Sequence, residues 1–152
     1  MSRANLSGAN LEVTILAEAT LSQTDLQEAN LTNADLSSIH ISKSKLQKAN
    51  LTGTNFNEAI IRNTDMREAK VSQAKFSKAI LFGVNMSGLD LTNLDLTGAE
   101  VSSSNLSDAI LKGLNFEGGF CDKTEFVRSD LRQVNFKKAE MYRACLLYTS
   151  PR

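Results

Sequence analysis

The sequence predicts an all-β solenoid that turns once every five residues. Three observations predict it. A five-residue word, seen plainly in Ala49, Asn50, Leu51, Thr52 and Gly53, repeats from Ala4 through 29 copies without an insertion. Its third position carries no polar residue in any copy, and its first is small (Ala, Ser, Thr or Gly) in 23 of the 29. Seven of the eight glycines, from Gly8 to Gly118, occupy the fifth position, a place for turn residues.

The period itself rejects the regular alternatives. In a helix at about 100° per residue, each word would advance the large residue by a net of about 140°, so no apolar stripe would form. In a continuous strand, an odd period would put successive large residues on opposite faces. The pattern closes only if the chain turns once per word. Positions one and three then point inward, position two points outward between them, and positions four and five form the corner. A chain that turns the same way at every word coils, and stacked coils can pair their backbones around an interior column of side chains.

Taken in order, the third positions run Leu6, Leu11, Leu16 and Leu21 at the start, through Leu51, Phe56, Ile61 and Met66, to Phe136, Met141 and Leu146. The small first positions leave room for them. Each large residue fully buried contributes roughly 1.5–3 kcal/mol, most of it offset by chain entropy.

Words such as Ala4-Asn5-Leu6-Ser7-Gly8, Ala34-Asp35-Leu36 and Ala49-Asn50-Leu51-Thr52-Gly53 resemble the pentapeptide repeat family, whose consensus is Ala, then Asp or Asn, then Leu, then two variable residues. The resemblance covers residues 4–148. It implies a right-handed quadrilateral parallel β-helix with four words per coil, hence about seven coils and a rod about 35 Å long. Residues twenty apart should then stack. One interior column becomes Leu16, Leu36, Phe56, Phe76, Leu96, Phe116 and Phe136, and from Leu36 onward these, with Leu51, form the expected structural core. A second column places Cys121 inside as a small hydrophobe.

Composition narrows function mainly by exclusion. The formal net charge is zero, so no global field favours nucleic acid or a membrane surface. No apolar run approaches the ~18 residues of a membrane span, and the first ten residues lack a secretory pattern. Two cysteines make no disulfide framework, and a cytoplasmic setting is expected. The charge is banded, however. Residues 1–42, 43–78, 79–121 and 122–152 carry −4, +5, −4 and +3. The basic band (Lys43, Lys45, Lys48, Arg62, Arg67, Lys70, Lys75 and Lys78) lacks interleaved outward aromatics and reads as a solvated face, so direct nucleic-acid binding is not expected.

Departures from the word mark the candidate sites. First positions are bulky at Ile39, Val84, Leu89, Leu94, Leu114 and Val134, and altered turns or a swollen coil are expected over 84–94. Second positions should face water, yet Ile15, Ile60, Ile80, Ile110 and Phe120 are apolar. Twenty-residue stacking puts Ile60, Ile80 and Phe120 on one face, interrupted by Glu100, with Phe82 nearby. These four form the candidate interaction stripe. The second-position Asp and Asn residues read as a hydrated face. His40, the sole histidine, has no partners for a metal site. No catalytic, cofactor-binding or metal-binding motif is visible.

The repeat domain is expected to span 1–148. Residues 149–152 read as an irregular tail, and the segment from Cys145 to Ser150 resembles a translated sequencing adapter. The expected function is a non-enzymatic protein-interaction scaffold that presents ordered faces to an unidentified protein partner. Self-association through the apolar stripe or an uncapped end is a further expectation. The family resemblance adds two alternatives, a DNA mimic that binds a type II topoisomerase and the repeat module of a truncated effector protein.

Overall fold

A computed structural model describes residues 1–144; Cys145, Leu146 and the tail lie outside the described residues. The chain forms a four-sided parallel β-helix. Four short strands stack in chain order on one face: β1 (Thr20–Ser22), β2 (His40–Ser42), β3 (Ile60–Arg62) and β4 (Ile80–Phe82). Every pairing is parallel, in a register of twenty residues: Thr20 with His40, His40 with Ile60, and Ile60 with Ile80. On the other faces the contact shrinks to single bridges at second positions, again twenty apart, such as Asn10 with Asn30 and Asn115 with Asn135.

The corners explain why the word has five residues. Every described fifth position, from Arg3 to Arg143, has a positive φ between 49° and 73°. Most corners close with a hydrogen bond from the next first-position amide to the third-position carbonyl, as in Ala9 N to Leu6 O at 3.0 Å. A positive φ confined to the third residue of a hydrogen-bonded turn is the type II arrangement, which glycine adopts without strain. Gly53 adds a steric reason: a Cβ there would collide with Oδ1 of Asn33 one coil below.

The second-position Asn and Asp residues do more than meet water. In each described word that has one, its Oδ1 accepts the amide of position four, as in Thr52 N to Asn50 Oδ1 at 3.1 Å and Ser37 N to Asp35 Oδ1 at 3.0 Å. Position four cannot bond backward within its own turn, so this side chain satisfies an amide that would otherwise lack a protein partner. The residues expected to form only a hydrated face are therefore turn caps.

First and third positions fill the interior. Leu36, Leu51, Phe56 and Phe76 are buried, as are Leu96, Phe116 and Cys121, whereas Phe136 is half-buried in the last described coil. Free space among Leu96, Phe116, Phe126 and Phe136 amounts to only about 10 Å³. The phenylalanines do not repeat one packing. Phe56 and Phe76 stack with rings 5.0 Å apart and 5° from parallel, but Phe116 meets Phe136 edge-on at 6.1 Å and 77°.

The expected disturbance over 84–94 is displaced. Leu89 and Leu94 are buried beside ordinary turns, closed at 3.2 Å to Met86 O and Leu91 O. The altered corners lie at 22–24, 42–44, 62–64 and 82–84, all along one edge, so only the one that leads into Val84 touches the expected range. In three of them the first-position amide turns away from its own turn to a hydroxyl in the next coil. Thr24 N donates to Ser44 Oγ at 3.0 Å, Ser44 N to Thr64 Oγ1 at 3.4 Å, and Val84 N to Ser104 Oγ at 2.9 Å. These first positions sit over the ends of β1 to β4.

Candidate interaction surface

The face that carries β1 to β4 is chemically unlike the other three. Its second positions read Thr20, His40, Ile60, Ile80, Glu100, Phe120 and Glu140 in stacking order, each bridged to the next. It is the one face among the described residues with no Asx at that position. Ile60 and Ile80 are half-buried in the centre of this ladder, and Phe120 is exposed two coils beyond Ile80. Phe82 is exposed at the corner that follows, with the Arg62 guanidinium carbon 6.0 Å from its ring centre. The structure thus brings Ile60, Ile80 and Phe82 together on adjacent strands, with Glu100 between Ile80 and Phe120.

Beyond Ile80 the surface opens into a shallow groove of about 650 Å³, lined by Phe82, Glu100, Phe120, Asp122, Glu140 and Tyr142 among others. Tyr142 was not distinguished by the sequence because it occupies a corner position, where outward direction follows from turn geometry. Its stacking offset of sixty residues from Phe82 was the available signal. Arg143 covers the Tyr142 ring at 4.6 Å and pairs with Asp122 at 3.0 Å, so the far end of the groove is braced.

The other apolar second positions are isolated. Ile15 pairs with Asp35, and Ile110 lies between Asp90 and Asp130. The basic residues of 43–78 are not one patch. Twenty-residue stacking puts Lys45, Lys70 and Lys75 on three different faces, with the others at corners, which makes a girdle around the rod. His40 is exposed.

The remaining electrostatics are local. Arg67 pairs with Asp65 at 2.6 Å, Arg128 with Asp108 at 2.7 Å, and Arg132 with Asp130 at 2.7 Å. The Arg132 guanidinium bonded to Asp130, with help from the Arg132 amide, lowers that carboxyl to about 2. Burial pushes the Cys121 thiol up to about 12, aided by Asp122, and its Sγ faces the Glu140 carbonyl. A thiol held neutral and inside is a packing group rather than a nucleophile. Among the described residues no group of His, Cys, Asp or Glu could hold a metal ion, and no helix is long and apolar enough to cross a membrane.

Comparison with known proteins bears on the architecture. HetL, a pentapeptide repeat protein involved in heterocyst differentiation regulation from the cyanobacterium Nostoc sp. strain PCC 7120, is 23% identical, with 97% of this chain and 83% of that chain covered at a TM-score of 0.40. QnrB1, a plasmid-mediated fluoroquinolone resistance protein, is 16% identical in one structure, with 99% and 84% covered at a TM-score of 0.47. A second pentapeptide repeat protein from Nostoc PCC 7120 is 28% identical, with 77% and 84% covered at a TM-score of 0.33. The search of curated proteins gave no match. The family model for pentapeptide repeats matches residues 4–42, 34–73, 44–81, 74–113 and 109–146. With that match along almost its whole length, and coils of four words stacked twenty residues apart, the chain belongs to the pentapeptide repeat family and has its right-handed, four-sided parallel β-helix fold.

Proposed function

We propose that this protein is a non-enzymatic scaffold whose β1–β4 face binds a partner protein. The observation that supports it is the chemistry of that face. Ile60, Ile80, Phe82 and Phe120 project from a ladder whose backbone is fixed by parallel pairing. Outward apolar side chains on rigid strands lose little conformational entropy on binding, which favours their use as contact anchors. The other faces present mainly Asn, Asp and Lys, and the Asx residues there are occupied as turn caps. The reading treats 1–148 as one repeat domain and places it in the cytoplasm, where a buried free thiol such as Cys121 stays reduced.

Affinity capture from cell lysate with the full chain tests this reading. The double variant Ile60→Lys, Phe120→Glu should keep the wild-type circular dichroism spectrum and lose the proteins that the wild type retains. An identical set of captured proteins would refute the face as a binding surface. A DNA-mimic role calls for a continuous acidic surface, and the basic girdle at 43–78 interrupts any such surface.

A further inference from the structure

The geometry points to a second copy of this chain, antiparallel and face to face, as the occupant of the β1–β4 face. The inference rests on that face being a binding surface and names what covers it. It follows from the twenty-residue register and one symmetry operation.

Consider a two-fold axis in the plane of contact, perpendicular to the rod and passing between β3 and β4. It turns each coil of one rod onto the coil equally far on the other side of the axis, and it keeps each corner column beside the same column of the other copy. An isologous contact of this kind closes as a dimer. Second positions then pair Ile60 with Ile80 of the other copy, and Ile80 with Ile60. The central contact is wholly apolar and occurs twice.

The flanking columns match as well. On the preceding corner, Glu58 faces Lys78 of the second copy, and Lys78 faces Glu58. Neither forms an ion pair within its own chain among the described residues. On the following corner, Arg62 faces Phe82 of the second copy, which repeats across the contact the cation–π geometry already present within one chain. One coil further out, His40 faces Glu100. A parallel arrangement would set like bands against each other and lose the Glu58–Lys78 pair.

Area sets the strength. A face about 35 Å long and about 10 Å wide, with its corners, buries about 1,000 Å² over both copies, the low end for a specific contact. The dimer is therefore weak and concentration-dependent.

Sedimentation equilibrium of the full chain at low salt, from about 1 to 500 μM, tests it. The expected result is a reversible shift from 16.6 kDa to twice that mass, weakened by about tenfold or more in Glu58→Lys and restored in Glu58→Lys, Lys78→Glu. Circular dichroism controls for folding. A wild type that stays monomeric throughout the range overturns the inference, and so does a folded Glu58→Lys that associates normally or a folded double swap that does not recover. The capture experiment with Ile60→Lys, Phe120→Glu is independent of these outcomes. A monomeric wild type that still captures stripe-dependent proteins would refute the second copy and leave the binding face standing.

Discussion

The amide of Thr24 donates to the hydroxyl oxygen of Ser44, 3.0 Å away and one coil further along the chain. Both residues are buried, and the Ser44 hydroxyl donates in turn to the Ser42 carbonyl at 2.9 Å. This small relay replaces the closing hydrogen bond of an ordinary turn. It stands just past the ends of β1 and β2.

Ser44→Ala should therefore cost about 1–3 kcal/mol, because it leaves the buried Thr24 amide without an acceptor. Urea unfolding followed by circular dichroism would measure it. A loss under about 0.5 kcal/mol would show that the corner closes as a normal turn once the hydroxyl is gone.

The same relay has a gap. The Thr64 amide has no acceptor among the described residues, and the residue that would supply one is Val84. Val84→Thr should place a hydroxyl there and raise stability by about 0.5–1.5 kcal/mol. Thermal unfolding should show a higher Tm than wild type. A lower Tm would mean that burying the new hydroxyl outweighs the bond it makes.

Gly119 is the eighth glycine and the one outside a corner. Its φ is ordinary, but a Cβ would lie 2.5–2.7 Å from three atoms of the Phe116 ring. The aligned positions near the stacked pair are Ala59 and Ala79. The ring that leans over Gly119 is also the one that meets its neighbour edge-on. Gly119→Ala should destabilise by about 1–3 kcal/mol through overpacking, read by chemical denaturation. Phe116→Leu in the same chain should recover part of that loss.

Asn50→Ala removes the cap on the Thr52 amide and the bond from the Thr52 hydroxyl at 2.7 Å. A loss of about 0.5–1.5 kcal/mol is expected, and Asn50→Asp should retain most of the stability because the accepting oxygen remains. Equal losses in the two variants would reject the capping role.

Acid stability follows from Asp130. Its carboxyl is lowered from 3.8 to about 2 in the folded chain, chiefly by the Arg132 side chain. Its stabilising contribution is complete above the unfolded value and is lost as pH falls through the folded one, so the window is about pH 4 to 2. Arg132→Ala should move acid unfolding, followed by circular dichroism at low salt, to higher pH. Arg132 is exposed and Asp130 half-buried at the surface, so the shift should shrink in about 1 M salt. An unchanged acid transition at low salt would exclude the pair as a contributor.

Much of the molecule was legible in the sequence because a fixed period converts position into direction. The third-position residues went inside, and the offset of twenty put Ile60, Ile80 and Phe120 on one face. Coiling leaves each five-residue word the same choice, so that reasoning needs no long-range information. What escaped it were the contacts that particular side chains make, within a word and between coils. The cap from Asn50 to Thr52 looks like a solvated side chain in the linear pattern. The relay from Thr24 to Ser44 joins two residues whose small size alone would have suited their place. The edge-on turn of Phe116 depends on one missing methyl at Gly119. The groove between Phe82 and Tyr142 joins corner residues sixty apart. By itself the sequence determined the repeat, the inward and outward alternation and the stacking register, because these follow from local turn preference and burial repeated without interruption. The tertiary structure decided which acceptor each altered corner finds, how each ring lies and where the groove opens, because those outcomes depend on which side chain the next coil brings alongside.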